Sequence, residues 1–174
     1  NISQSLVNLY LQNIFVINPN DIIKKIETNK LIEKYKITKI YPSTIDIKLK
    51  KTNFLAKLKN KEQIFVVATN GKLLNSNLFN LELPFIFGNP EVNQILELKK
   101  IIDQSKFYYE EIENLYFFPS KRWDIELKNK IILKLPKENI GNSLDHIFQF
   151  LKNDSPNIIK IVDARVNNQI ILND

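Results

Sequence analysis

The stretch Thr44–Lys50, TIDIKLK, alternates apolar and charged residues without a break, and Tyr35, Ile37 and Ile40 or Tyr41 make a similar run just before it. A period of two sends successive side chains to opposite faces, so both runs predict strands with one face turned to a core. Tyr41-Pro42-Ser43-Thr44 separates them, and Pro42, which has no N–H to give a ladder, belongs in that connection. Ahead of the pair the period lengthens. Leu6, Leu9 and Tyr10 fall on one side of a helix over SQSLVNLYLQ, and the short apolar NIFVIN follows. A second helix opens with Asn18 as its cap, Pro19 in the first position and Asp21 against the positive helix end. Ile22, Ile23 and Ile26 form its stripe, and Asn29 or Lys30 ends it. Helix, helix, strand, strand predicts a small two-layer unit in which Ile45, Ile47 and Leu49 pack on Ile22 and Ile26.

After Lys50-Lys51-Thr52-Asn53 the texture changes to short strands with turns between them. FLAKL and QIFVVAT read as strands, and Asn70-Gly71 as a tight reversal. Leu83-Pro84 and Gly88 punctuate a loop, after which Asn89-Pro90-Glu91 opens a helix with Val92, Ile95, Leu96 and Ile102 inward. EIENLYFF, WDIEL and KIILKL are three more strands, the last two joined at Lys128-Asn129. A final helix carries Ile140, Leu144, Ile147, Phe148 and Leu151 on one stripe, and NIIKIVDARV and QIIL close the chain. The expected class is α+β, a mostly antiparallel sheet with two helices following the smaller unit.

Composition narrows the function. With 174 residues, 44% of them hydrophobic, the chain can bury the core of one or two compact units. It holds no apolar run near the roughly 20 residues a spanning helix needs, but it starts with Asn rather than Met, so residues upstream are expected to have been removed, with a membrane anchor one candidate among them. The absence of cysteine excludes disulfides, thiol catalysis and zinc–thiolate sites. The net charge of +6 is uneven: up to Lys61 there are twelve lysines against four acids, and afterwards thirteen basic residues against fifteen acidic ones. A basic half suits nucleic acid or an anionic membrane surface. It contains no arginine and no interleaved aromatics of the kind that stack on bases, so its lysines read as solvated faces and no nucleic-acid partner is expected.

Candidates for chemistry are thin. His146 lies off the apolar stripe of the last helix and reads as exposed. Glu111 and Glu113, two apart in a predicted strand, share a face, whereas paired catalytic carboxylates are brought together from different elements. Asp163 and Arg165 share a strand face as a surface ion pair. Glycines at 71, 88 and 141 are too scattered for a phosphate loop, and metal-ligand spacing is absent. No catalytic, cofactor-binding or metal-binding residue is expected, and the chain does not read as an enzyme.

The segments PSTIDIKL, NGKLL, LPFIFG, RWDIELKNKIILKLP and IVDARV, in that order, resemble the extracytoplasmic part of the FtsQ/DivIB family of bacterial cell-division proteins over nearly the whole chain. Pro42 and Thr44 match the family's turn into the last strand of a POTRA domain. Arg122, Trp123, Asp124, Leu127, Asn129, Leu133, Leu135 and Pro136 match its tryptophan hairpin, and Asp163 with Arg165 its near-terminal Asp-x-Arg. The resemblance implies a POTRA-like domain over 1–52, two helices on a small sheet with its first strand absent, and a β domain over 53–174. Three departures stand out: Lys50-Lys51-Thr52-Asn53 replaces the usual Glu-Arg-x-Pro junction, Lys130 occupies the usual hairpin glycine, and the opening POTRA strand is missing.

The same resemblance implies a non-enzymatic divisome scaffold without cofactors, anchored in the inner membrane by one upstream helix, with this portion periplasmic. It implies partners of the FtsB and FtsL type, which add a strand to the terminal sheet edge, and other division proteins that meet the POTRA domain. Arg165, carried over from the Asp-x-Arg motif, is expected to pair with an acidic partner residue, and Arg122 to lie near the same edge. Read from the residues alone, QIIL is a short apolar strand at the chain's end, and an edge there offers unpaired backbone groups to a partner. The expected contact set is Arg122, Arg165, Val166, Asn167, Gln169, Ile170, Ile171 and Leu172. Lys36, Lys48 and Lys50 are expected to meet acidic partners or anionic lipid headgroups. The alternative is a POTRA-bearing outer-membrane assembly or transport component acting as a polypeptide-binding chaperone.

Overall fold

Asn18 opens helix α1 (Pro19–Glu27) by accepting the Asn20 N–H on its side chain at 3.0 Å, with Pro19 and Asp21 in the first turn. The cap, proline and acid grammar thus works as local chemistry predicts. Thr28 closes the helix, its N–H reaching the carbonyls of Lys24 and Ile26. A computed structural model describes residue 7 and residues 12–60, 63–78, 81–153, 159–166 and 169–173. The helix expected over residues 3–12 lies outside the described residues. The chain divides into two compact units, residues 1–53 with 68–74, and residues 54–67 with 75–174. The contribution of 68–74 to the first unit has no signal in the sequence pattern.

In the first unit, β1 (Ile32–Ile40) and β2 (Thr44–Lys51) form a two-stranded antiparallel sheet with Ile37 opposite Ile47 and Tyr35 opposite Leu49. Ile17, Ile22, Ile26 and Ile32 are buried together, and Ile37, Ile45 and Ile47 pack against them. Leu49 departs from expectation by remaining exposed. Its opposite, Tyr35, already reaches the last residue of α1, its hydroxyl donating to Glu27 at 2.8 Å, so that end of the sheet outruns the helix. Thr52 is buried, its hydroxyl 3.0 Å from that of Thr69, and Asn70 donates to the carbonyls of Lys30 and Ile32 at 3.0 Å each. Neutral hydrogen bonds hold Thr52 and Asn53, while Lys50 just before them pairs with Glu33 at 3.1 Å. Gly71, at φ 75°, supplies the left-handed position of the turn that carries Thr69 and Asn70.

The larger sheet comprises β3 (Phe54–Asn60), β4 (Gln63–Ala68), β5 (Leu73–Asn75), β6 (Phe85–Phe87), β7 (Ile112–Phe117), β8 (Trp123–Leu127), β9 (Ile132–Lys134), β10 (Ile161–Asp163) and β11 (Ile171–Asn173). Their order is β11-β10-β9-β8-β7-β6-β3-β4-β5. Pairs β3/β6, β6/β7 and β9/β10 are parallel, while β7/β8, β8/β9 and β10/β11 are antiparallel. Neighbours β3, β4 and β5 are joined by connections too short for anything but antiparallel pairing. With helices α2 (Val92–Gln104) and α3 (Ile140–Asn153), this is an α+β unit.

Three expectations need correction here. Residues 85–87, read as loop, are a strand in mid-sheet. Helix α2 starts two residues later than Pro90 suggests, because Glu91 and Gln94 form a reciprocal capping box, and its buried stripe is Ile95, Leu98 and Ile102. Glu111 belongs to a single 3₁₀ turn ahead of β7, so it does not share a strand face with Glu113.

Register explains the core. Leu58, Ile86, Leu115, Ile125, Leu133 and Val162 are successive cross-strand partners, all buried, with Leu172 next in the row. Ile95, Leu98, Ile102, Leu144 and Ile147 of the helices are also buried. Each such side chain contributes roughly 1.5–3 kcal/mol on leaving water. Trp123 is buried opposite Phe117 with ring centroids 4.7 Å apart, so it packs across its own hairpin. At the other end of that strand, Lys130 takes the hairpin's left-handed position at φ 70°, a glycine's role filled at a cost of about 1 kcal/mol.

Candidate partner-binding edge

Strand β11 ends the sheet order, with β10 its only neighbour among the described residues. Val162 lies opposite Leu172, and Asp163 opposite Ile171. The apolar row that is buried across six strands therefore runs on to Leu172, which is 42% exposed for want of a next partner. Ile171, on the opposite face, is 48% exposed. Among the described residues, backbone groups along the outer side of β11 have no ladder to join, which is the physical condition for strand addition.

The second row across this end of the sheet is charged. Tyr116, Asp124, Lys134, Asp163 and Ile171 are successive cross-strand partners. Arg122 and Arg165 stand two residues from Asp124 and Asp163 and grip them: Arg122 Nε donates to Asp124 Oδ1 at 3.2 Å, and Arg165 Nε to Asp163 Oδ1 at 2.8 Å. The Arg165 N–H adds a backbone anchor to Asp163 at 3.1 Å, which fixes the turn out of β10. Arg122 also lies over the Phe118 ring, 4.4 Å from its centroid. Of the two, Arg165 keeps the larger free surface, with its side chain 45% exposed against 23%. The contact set foreseen from the sequence thus separates: Arg165, Val166, Gln169, Ile170, Ile171 and Leu172 share the β10–β11 hairpin, and Arg122 sits two strands further in, at the start of β8. Asn167 lies outside the described residues.

Lys134, bracketed by Asp124 and Asp163, is the member that sequence reasoning missed. Its signal was the alternation in KIILKL, but its partners depend on register. The two aspartates respond oppositely to their surroundings. The Arg165 hydrogen bond holds the Asp163 carboxyl below its usual range, whereas burial pushes that of Asp124 up against the opposing pull of Arg122. Glu126, which accepts from Asn114 and the Tyr116 hydroxyl at 2.9 and 2.7 Å, is also lowered.

A depressed folded-state pKa means that Asp163 contributes stability that is complete above the unfolded value of about 4 and is lost as pH falls through the lower folded value. Asp163→Asn is therefore expected to cost on the order of 1 kcal/mol near neutrality, discounted for the exposed arginine, and nothing at strongly acid pH. Denaturation at several pH values checks this; a penalty that does not change with pH would remove the ion pair from the account.

His146 is exposed and lines a groove of about 330 Å³ with Gln149, Phe150, Ala164, Val166 and Ile170, beside the β10–β11 hairpin. Among the described residues no group of three or more His, Asp or Glu could hold a metal ion, and no helix is long and apolar enough to cross a membrane.

Comparison with known proteins gives consistent matches. The model of the FtsQ-type POTRA domain matches residues 1–51, and that of the FtsQ/DivIB cell-division protein C-terminal region matches residues 56–165. The chain is 22% identical to the cell division protein FtsQ of Bradyrhizobium diazoefficiens over 152 residues, covering 85% of this chain and 44% of that protein. It is 25% identical to FtsQ of Rickettsia bellii over 142 residues, 77% of this chain and 51% of the relative. Against DivIB of Clostridium botulinum the identity is 34% over 94 residues, half of this chain and 36% of the relative. The chain thus spans about half the length of the curated relatives it matches. The solved major extracytoplasmic domain of DivIB from Geobacillus stearothermophilus, in its trans isomer, aligns at a TM-score of 0.43 and 13% identity, over 63% of this chain and 98% of that one.

Proposed function

The chain belongs to the FtsQ/DivIB family of cell-division proteins, and from that premise we propose that it is the periplasmic part of a membrane-anchored, non-enzymatic division scaffold that recruits partners by letting them add a strand to β11. The observation that carries this reading is the terminal place of β11, where the buried apolar row reaches Leu172 and stops at an exposed side chain. A partner strand laid along β11 would continue the row and satisfy the outer backbone groups, so main-chain pairing supplies affinity and alternate side chains supply selectivity. Ile170, Ile171 and Leu172 are the apolar part of that interface, and Val166 and Gln169 border it. Arg165 keeps enough free surface to meet an acidic residue of the partner. Arg122 contributes from further in, through the Asp124–Lys134–Asp163 row. Partners are of the FtsB and FtsL type, with other division proteins meeting the POTRA unit.

Neighbouring residues of a strand point their N–H groups to opposite edges, so one of Ile171→Pro and Leu172→Pro removes an outward donor while the other disturbs the β10 ladder. At least one is expected to weaken binding of an FtsB–FtsL complex by tenfold or more, with the Trp123 emission of the fold unchanged. Wild-type affinity in both, measured by calorimetry, would place the interface elsewhere.

A further inference from the structure

The face of the first unit's sheet that is turned away from α1 carries Lys34, Lys36, Thr38 and Ile40 on β1, and Thr44, Asp46, Lys48 and Lys50 on β2. Register sets like against like: Lys34 faces Lys50, and Lys36 faces Lys48. Directly opposed like charges destabilise a strand pair, so this arrangement works against the fold of the free protein. It is only partly relieved. Lys50 reaches Glu33 at 3.1 Å and Lys48 reaches Asp46 at 3.9 Å, while Lys34 and Lys36 have no acid in salt-bridge range among the described residues.

At the turn end of the same sheet stands a second feature that opposes solubility. Phe15 and Val16 are 69% and 78% exposed, and Ile40 and Tyr41 are exposed beside them. The Phe15 and Tyr41 rings stack with centroids 5.1 Å apart. Lys39, on the helix side, donates to the carbonyls of Ile14 and Ile17 at 2.9 and 2.7 Å, which clamps the Phe15–Val16 turn onto the end of β1. The knob is therefore built and held, although its side chains are open to water.

We propose that this knob and the lysine face together form a docking surface for an anionic lipid bilayer. Ile40 lies on the lysine face, four residues from Lys36, a distance of about 13 Å at roughly 3.3 Å per residue. With the knob at the acyl boundary, Lys36 and Lys48 reach back to the headgroups on their flexible stems, while Lys34 and Lys50, about 20 Å from Ile40 by the same spacing, meet a screened field. An acidic polypeptide would satisfy the lysines but would leave Phe15, Val16, Ile40 and Tyr41 without a purpose. A bilayer uses both. The inference stands apart from strand addition at β11, so either can fail without the other.

Co-sedimentation of the chain with phosphatidylcholine vesicles, with and without phosphatidylglycerol, tests it. Binding is expected only with phosphatidylglycerol present, and it should fade as salt rises. At about fivefold per lysine, Lys36→Gln combined with Lys48→Gln should weaken it about 25-fold. Phe15→Ser with Tyr41→Ser should weaken it about tenfold by removing the inserted rings. A Phe15→Trp variant gives a second readout, since quenching of its added emission by brominated lipid is expected if the knob enters the acyl boundary. The lysine variants should melt no lower than wild type, so lost binding cannot be unfolding. Equal binding to both vesicle types, or wild-type binding by both double variants, overturns the proposal. So does a chain that ignores vesicles and binds polyglutamate, which would make an acidic polypeptide the occupant, or one whose double variants lose only self-association.

Discussion

Gly88→Ala is expected to lower the melting temperature by about 10 °C or more, at a cost of roughly 3 kcal/mol or above. Two independent effects combine. Gly88 sits at φ 98°, a region that a side chain with a Cβ seldom adopts, and an added Cβ would lie 2.2 Å from the Phe117 carbonyl oxygen. That oxygen belongs to the backbone of β7, so no rotamer change can make room. Relief would have to come from moving β6 or β7, whose register places Phe87 beside Tyr116 and keeps Ile86 and Leu115 in the buried row. Gly141→Ala is the control, since its added Cβ would meet Ile101 at an ordinary 3.7 Å and the residue lies in α3. There the gain in helix propensity, up to about 1 kcal/mol, predicts an unchanged or slightly higher midpoint. A Gly88→Ala midpoint within a few degrees of wild type would show that the β6–β7 pair is looser than its register implies.

Local grammar was legible and long-range pairing was not. The α1 cap, the β1–β2 pair, the Asn70-Gly71 reversal and the WDIEL–KIILKL hairpin all rest on residues within a few positions of one another, and each forms close to where the pattern puts it. Strand β6 failed this test. Phe85, Ile86 and Phe87 sit between Pro84 and Gly88, so the punctuation that looked like a loop marks the two ends of a three-residue strand whose partners, β3 and β7, are far away in sequence. Leu49 failed for a related reason. Alternation assigns a face, but how far along that face the covering helix extends depends on where α1 stops.

The candidate edge shows the same division. That QIIL forms a short terminal strand could be read from its composition and position. That Leu172 extends a row through Val162, Leu133, Ile125 and Leu115, and that Lys134 lies between Asp124 and Asp163, required a register that no pattern in one sequence supplies. The lysine face was foreseen at Lys36, Lys48 and Lys50. Lys34 and the opposition of like charges came only with pairing.

Ile22→Ala should melt the first unit while leaving the second folded. The buried cluster there consists of Ile17, Ile22, Ile26 and Ile32, with Ile37, Ile45 and Ile47 half-covered beside it. Ile22 has no exposed surface, so truncation leaves a void under the sheet as well as losing transfer energy, a cost of about 2–5 kcal/mol. A unit of about 60 residues has little stability to lose. Leu49→Ala, on the same face but 40% exposed, should cost about 1 kcal/mol or less, because much of its surface already meets solvent. Two probes separate the units. Amide exchange across residues 19–51 reports the first, and the emission of Trp123, the one tryptophan, reports the second. Fast exchange in Ile22→Ala with native Trp123 emission is the expected pair of results. Protection at the wild-type level would mean that the cluster can collapse around the missing atoms, and loss of Trp123 emission at the same midpoint would mean that the two units melt as one.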